Sequence, residues 1–384
     1  ALFDGKDKLP FYFCWVGQGR MVVTERSAQL PQGSEIVRIN DVSVDEIVET
    51  LLPYVKGDGD RRDIRLHALA VDGLQKRSAF DIYFPLLFGP TPEGTYKLEF
   101  IPPSGQTTTK VVRAVHASER EATLRGAQRD EVPWAYERLA PSVGLVRLRT
   151  FAMFNNDFDW AGFIDALPRQ LKSDEVEHLI IDLRGNEGGE DRVAAAFMSL
   201  FARNEMRAPP VTEEVVAHRV SKELRAFVKT WDPSFYDMSA KLMPTATPGR
   251  YKMRKSSGVH RRIARNPSAY AGRLYFLIDR AASSATFTLA EMVKRSALGT
   301  LIGEETGGSG RGTSGGAILF LHLPYSGLEG DIPLIAFQPA HPRDGGIRPD
   351  IRVDVSVEDI AQDRDPFVVA ALHAIERIEP GERP

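Results

Sequence analysis

Cysteine is nearly absent from this chain of 384 residues: there is one, Cys14. That excludes an internal disulfide framework and any zinc site built on four cysteines. Set between Phe13 and Trp15, Cys14 reads as a packed small hydrophobe. No apolar run is long enough to span a bilayer. Neither sign of charge dominates, since 49 Lys and Arg against 52 Asp and Glu leave a net charge of −3. Such a balance gives no footing to nucleic acid or to an anionic membrane surface as partner. There is no internal repeat and no low-complexity tract. The sequence opens at Ala1 with no methionine and no signal peptide, so a removed leader or a further upstream segment is expected.

What is present is a globular composition, 42% hydrophobic and 26% charged. The length exceeds one ordinary core and predicts two domains. The most informative stretch runs from Gly272 to Gly316. Leu274-Tyr275-Phe276-Leu277-Ile278 is a short continuous apolar run, as in a strand buried on both faces. Asp279-Arg280 ends it, the small residues Ala281 to Ala285 follow, and a helix is expected from Thr286. A hydroxyl at such a strand-to-helix turn is exposed and lies close to unpaired N–H groups, which suits a nucleophile. The same pattern also fits a simple helix cap. A second strand, Thr300 to Gly303, leads into a glycine-rich loop.

A related pattern occurs upstream. Glu177 to Arg184 reads as a strand, Gly185-Asn186-Glu187-Gly188-Gly189 as a bend, and Val193 to Phe201 as a helix. Glycines at a helix start can hold a developing negative charge. A phosphate loop would end in Gly-Lys-Ser/Thr, and this bend does not.

Near the N-terminus, strands are expected on either side of Gly17-Gln18-Gly19. The segment Leu30 to Val44, with Gly33, Ile36, Ile39 and Asn40-Asp41, resembles the core signature of PDZ domains. A helix over Glu46 to Tyr54, capped by Asp45, is expected next. An open sheet edge there could add a peptide strand, or the module could be a structural spacer. Strands at Tyr96–Ile101 and Thr108–Val115 complete a unit over 1–118. Residues 119–142 carry mixed charge without periodicity and read as a linker. A second unit then spans 143–384, beginning with the strand Val143–Leu148 and a helix over Asp157–Leu171. Within it, 205–271 is a basic, proline-containing insertion, either the rim or lid of a site or a solvated excursion.

Four blocks of the second unit, in order, resemble the C-terminal processing (tail-specific) serine peptidases, which include the tricorn core protease. They are Leu179 to Gly189, Ser283-Ser284-Ala285-Thr286, Ile302 to Gly308, and Gly346-Ile347-Arg348-Pro349-Asp350. The resemblance implies an α/β (α+β) fold, a ClpP/crotonase-like catalytic domain of ββα units behind a small PDZ-like β domain. It implies a serine endopeptidase acting on peptide or unfolded protein, with Ser284 as nucleophile and the N–H groups of Ala285 and Gly188 or Gly189 as oxyanion donors. No cofactor and no metal are implied, the location would be extracytoplasmic, and homo-oligomerisation stays open.

Two departures matter. Where dyad members carry lysine this chain has Ser309, and Arg311 cannot act as base because a guanidinium stays protonated. Phe287 replaces the glutamate that closes the nucleophile motif. The chain should therefore belong with members using Ser, His and an acid, whose histidine precedes the PDZ-like insertion. No histidine occurs here before His67, so the base is expected upstream of Ala1 or has been lost. Asp344 is the nearest match to the triad carboxylate, although a turn role fits it equally. His341 is a local alternative base, and His218 and His260 lie in the insertion. A catalytically inactive peptide- or lipid-binding homologue, and an acyl-CoA enzyme of crotonase type, are the competing readings.

Overall fold

The computed structural model describes residues 7–25, 27, 29–72, 78–89, 91–124, 132–154, 156–215, 219–254 and 262–377. His218 and His260 lie outside the described residues.

The N-terminal part is an antiparallel sheet in the order Phe13–Val16, Arg20–Val23, Glu35–Ile39, Thr95–Ile101, Thr108–Arg113, with Val42–Ser43 paired beside Glu35–Ile39. Helices Val44–Leu51, Arg62–Ala68 and Ala79–Phe88 accompany it. Phe11, Phe13, Phe80, Phe84 and Tyr96 fill the core between them, and the Phe13 and Phe80 rings meet edge-on at 5.0 Å. The first helix is capped by Ser43, whose side chain accepts from Glu46 N–H, rather than by Asp45. Serine and aspartate cap equally well, and the strand end places Ser43 at the helix start.

The stretch 119–142, expected as a linker, divides between the two parts of the chain. Helix Ala117–Leu124 belongs to the N-terminal part, where Arg120 is buried in an ion pair with Asp81. Strand Trp134–Ala140 pairs antiparallel with Val143–Leu148, and Trp134 is buried among Phe151, Phe163 and Phe197. Mixed charge hid both elements, because a buried arginine looks in sequence like an exposed one.

The C-terminal part is built on a sheet in the order Ile351–Arg352, Thr300–Gly303, Arg273–Ile278, His178–Asp182, Val143–Leu148, Trp134–Ala140. All neighbours are parallel except the last pair. Alternate residues serve opposite faces, as the pleat demands. Leu179, Ile181, Leu274 and Phe276 pack with residues of helices Trp160–Ser173, Asp191–Ser199 and Ser284–Ser296. Ile180, Tyr275, Leu277 and Ile302 pack against helix Pro366–Glu376.

The described residues of the insertion include several strands. Val211–Val215, Val228–Lys229, Leu242–Pro244 and Tyr251–Met253 join Thr313–His322 and Glu329–Pro339 in a second, antiparallel sheet. Its inner face is closed by Val215, Leu242, Leu319 and Phe337. No helix among the described residues is long and apolar enough to cross a membrane.

Candidate active site

Two bends follow adjacent parallel strands and meet at one hydroxyl. Strand Arg273–Ile278 ends at Asp279, which is half-buried and accepts backbone N–H groups from both bends: Gly185 at 3.0 Å and Ala281 at 3.1 Å. Burial raises the Asp279 carboxyl above its usual range, against the pull of His67. His67 comes from the N-terminal part and shares with Asp279, Glu304 and Cys14 a second cavity of about 1320 Å³. Cys14 is half-buried on the wall of that cavity, and burial pushes its thiol up to about 12, which keeps it mostly protonated and unreactive.

Ser284 is exposed and opens helix Ser284–Ser296 with φ +50°. Non-glycine residues avoid that left-handed region, so the turn carries strain that the surroundings must hold in place. Gly188 has φ +103°, and a Cβ there would lie 2.8 Å from Ser284 Cβ and 2.9 Å from Ala285 N. Gly189 has φ +138°, and a Cβ on it would overlap the backbone of Phe151 and Ala152. Only glycine at both positions lets the upstream bend come this close.

The approach is locked by groups that the sequence reading left out. Asn186 is fully buried: its Oδ1 accepts from Gly188 N–H at 2.9 Å and Thr286 Oγ1 at 2.8 Å, and its Nδ2 donates to Leu148 O at 2.9 Å. Ser283 Oγ donates to Glu187 O at 2.9 Å. Gly188 N–H is thus turned toward Asn186. Among the described residues, the N–H groups of Gly189 and Ala285 and the hydroxyl of Ser284 have no hydrogen-bond partner. Asn186 and Thr286 stood inside the sequence blocks, but a buried pairing is invisible until the two bends are superposed in space.

Behind the upstream bend, Asp182 is fully buried and Arg184 clasps it through Nε and Nη2, each at 2.8 Å. Arg184 reaches on to Asp365, and Arg149 lies 3.6 Å from Asp182. Burial alone would raise the Asp182 carboxyl, yet the two guanidinium groups hold it below the usual range.

Ser284 opens into a cleft of about 720 Å³, whose walls include Phe287, Glu305, Pro209 and Pro210. Asp344 and His341 line the same cleft, and both are exposed. The Asp344 side chain is 79% exposed and pairs with Arg311, which lowers its carboxyl through hydrogen bond and charge. Ser309 also lines the cleft, where it accepts from Arg311 N–H at 3.2 Å. Among the described residues no group of His, Cys, Asp and Glu side chains is disposed to hold a metal ion.

The family model described as peptidase family S41 matches residues 142–353, more than half of the chain. Solved structures similar to it include mature CPAF complexed with lactacystin, at TM-score 0.63 and 15% identity over 97% of this chain and 84% of that one. Mature CPAF gives TM-score 0.60 and 16% identity over 97% and 83%. No curated protein matches the chain. At these identities the structural likeness speaks for the fold alone, and the α/β architecture fits the ClpP/crotonase-like fold of the matched peptidase family.

Proposed function

The chain belongs to peptidase family S41, a family of serine-type peptidases, and from that premise we propose that it is an endopeptidase acting through Ser284. Ser284 Oγ attacks the scissile carbonyl and passes its proton to a base. The oxyanion is held by Ala285 N–H and Gly189 N–H, the tetrahedral intermediate expels the amine, and water releases the acyl group. Gly188 serves by its lack of a side chain, since its own N–H goes to Asn186.

The observation that carries this reading is an exposed serine at a strained φ of +50°, flanked by two unpartnered N–H groups. Among the described residues, His341 is the histidine lining the Ser284 cleft and our candidate base; Asp344 lines the same cleft and could serve as its acid only after leaving Arg311. The substrate is peptide or unfolded protein, and residues 1–118 act as a PDZ-like module beside the peptidase unit. A site of action outside the cytoplasm follows from the family resemblance alone.

Labelling by a fluorophosphonate and cleavage of an unfolded protein test the reading. Wild type should label and cleave, Ser284→Ala should do neither, and His341→Ala should lose most of both. Equal cleavage by wild type and Ser284→Ala would refute it. A second reading, a binding protein on the same scaffold, draws on Ser284 Oγ lacking a partner and on Ser309 where dyad members have lysine. It predicts no labelling of wild type and saturable binding of peptide or lipid.

A further inference from the structure

Arg61 stands before helix Arg62–Ala68 in the N-terminal part, and its guanidinium reaches into the C-terminal part. Nη1 donates to Thr306 O at 2.7 Å and lies 3.0 Å from Glu305 Oε1. Nε and Nη2 clasp Asp63 at 3.1 and 2.6 Å. Asp63 is 3.8 Å from Arg280, which pairs with Glu304 at 3.0 Å. The Arg61 side chain is 19% exposed, so these charge-assisted bonds are less screened than those of a surface pair.

The turn that Arg61 grips, Glu304 to Gly308, is also the support of the Ser284 bend. Gly308 N–H donates to Ala282 O at 3.1 Å, and a Cβ on Gly307 would overlap the Arg280 carbonyl. On its other side the turn holds the segment after Asp344. Thr306 N–H donates to Ile347 O at 3.1 Å, Ile347 N–H to Thr306 Oγ1 at 2.8 Å, and Gly346 N–H to Glu305 Oε1 at 2.7 Å. Three pieces of backbone that shape the cleft therefore converge on one turn, which the N-terminal part grips directly through the Arg61 guanidinium and, more loosely, through Asp63 and Arg280.

We propose that Arg61 is a positioning residue for Ser284, a clamp that keeps the nucleophile bend in register only while the N-terminal part is docked. Without it, Thr306 O loses its donor and Glu305 keeps Arg348 at 3.4 Å, a side chain 86% exposed. The turn then loosens, and a misplacement of the serine by a fraction of an ångström costs rate out of proportion to the stability lost. The catalytic consequence rests on the peptidase reading; the clamp itself does not.

The test uses the full chain, with Arg61→Ala beside Arg62→Ala, whose arginine pairs with Glu49 at 2.7 Å within the N-terminal part. Amide exchange at Ala282, Thr306, Gly308 and Ile347 should quicken at least about tenfold in Arg61→Ala, the scale of one charge-assisted hydrogen bond, and stay at the wild-type rate in Arg62→Ala. Fluorophosphonate labelling and kcat should fall with KM little changed, and added guanidinium ion should restore part of the loss. Equal exchange in the two variants, or acceleration spread evenly over the whole chain, overturns the clamp. A wild type that fails to label refutes the peptidase reading instead, while the exchange result still decides the clamp.

Discussion

Thr286 Oγ1 donates to Asn186 Oδ1 at 2.8 Å, with both side chains fully buried. This bond joins the helix that begins at Ser284 to the bend carrying Gly188 and Gly189. The same oxygen takes Gly188 N–H, so one side chain sets the distance between the serine and the upstream amides. Thr286→Val keeps the shape and removes the donor. It should cost about 1–2 kcal/mol, the usual loss for a buried hydrogen bond, read as a lower melting temperature, and it should slow labelling of Ser284 as well.

Gly188→Ala tests the contact between the bends. A methyl group 2.8 Å from Ser284 Cβ must displace the serine, the helix start or the bend. Activity should fall on the order of 100-fold or more, the effect of losing one oxyanion donor, whereas a shift confined to the melting temperature would argue against convergence of the bends.

Ser284 holds a left-handed φ of +50°, which costs a non-glycine residue about 1 kcal/mol. Ser284→Gly should therefore raise the thermal midpoint while abolishing labelling, and Ser284→Ala should abolish labelling without that gain. A Ser284→Gly variant no more stable than Ser284→Ala would remove the argument from strain.

Acid should find the Asp182 pair. Its carboxyl is depressed in the folded chain by Arg184 and Arg149 despite burial. The stabilisation it supplies is thus present above the unfolded carboxylate range near 3.9 and lost as pH falls through the lower folded value. Between pH 6 and pH 3 the wild type should lose more stability than Asp182→Asn. At pH 7 that variant should be weaker by about 1.5–3 kcal/mol, the scale of a lost charge-assisted hydrogen bond, because Arg184 keeps Asp365 as its charged partner. Urea denaturation at both pH values gives the comparison.

Cys14 should resist thiol reagents. Burial pushes its thiol up to about 12, so little of it is thiolate at pH 8 even though it borders the His67 cavity. Modification by an aromatic disulfide should wait for unfolding and then run quickly; fast labelling of the folded chain would contradict the packed setting.

The strands of the parallel sheet were legible because residues buried on both faces write uninterrupted apolar runs such as Leu274 to Ile278, and the two bends because glycine and small residues punctuate the ends of those runs. The mixed-charge stretch 119–142 was not, since whether Arg120 faces Asp81 or water depends on a partner far away in the chain. Nor could order along the chain reveal that Asn186 would reach Thr286, that Arg61 would cross to Thr306, or that Arg311 would occupy Asp344. Local backbone preference is written residue by residue. Which N–H remains free beside Ser284 depends on distances between segments that only the packed sheet brings together.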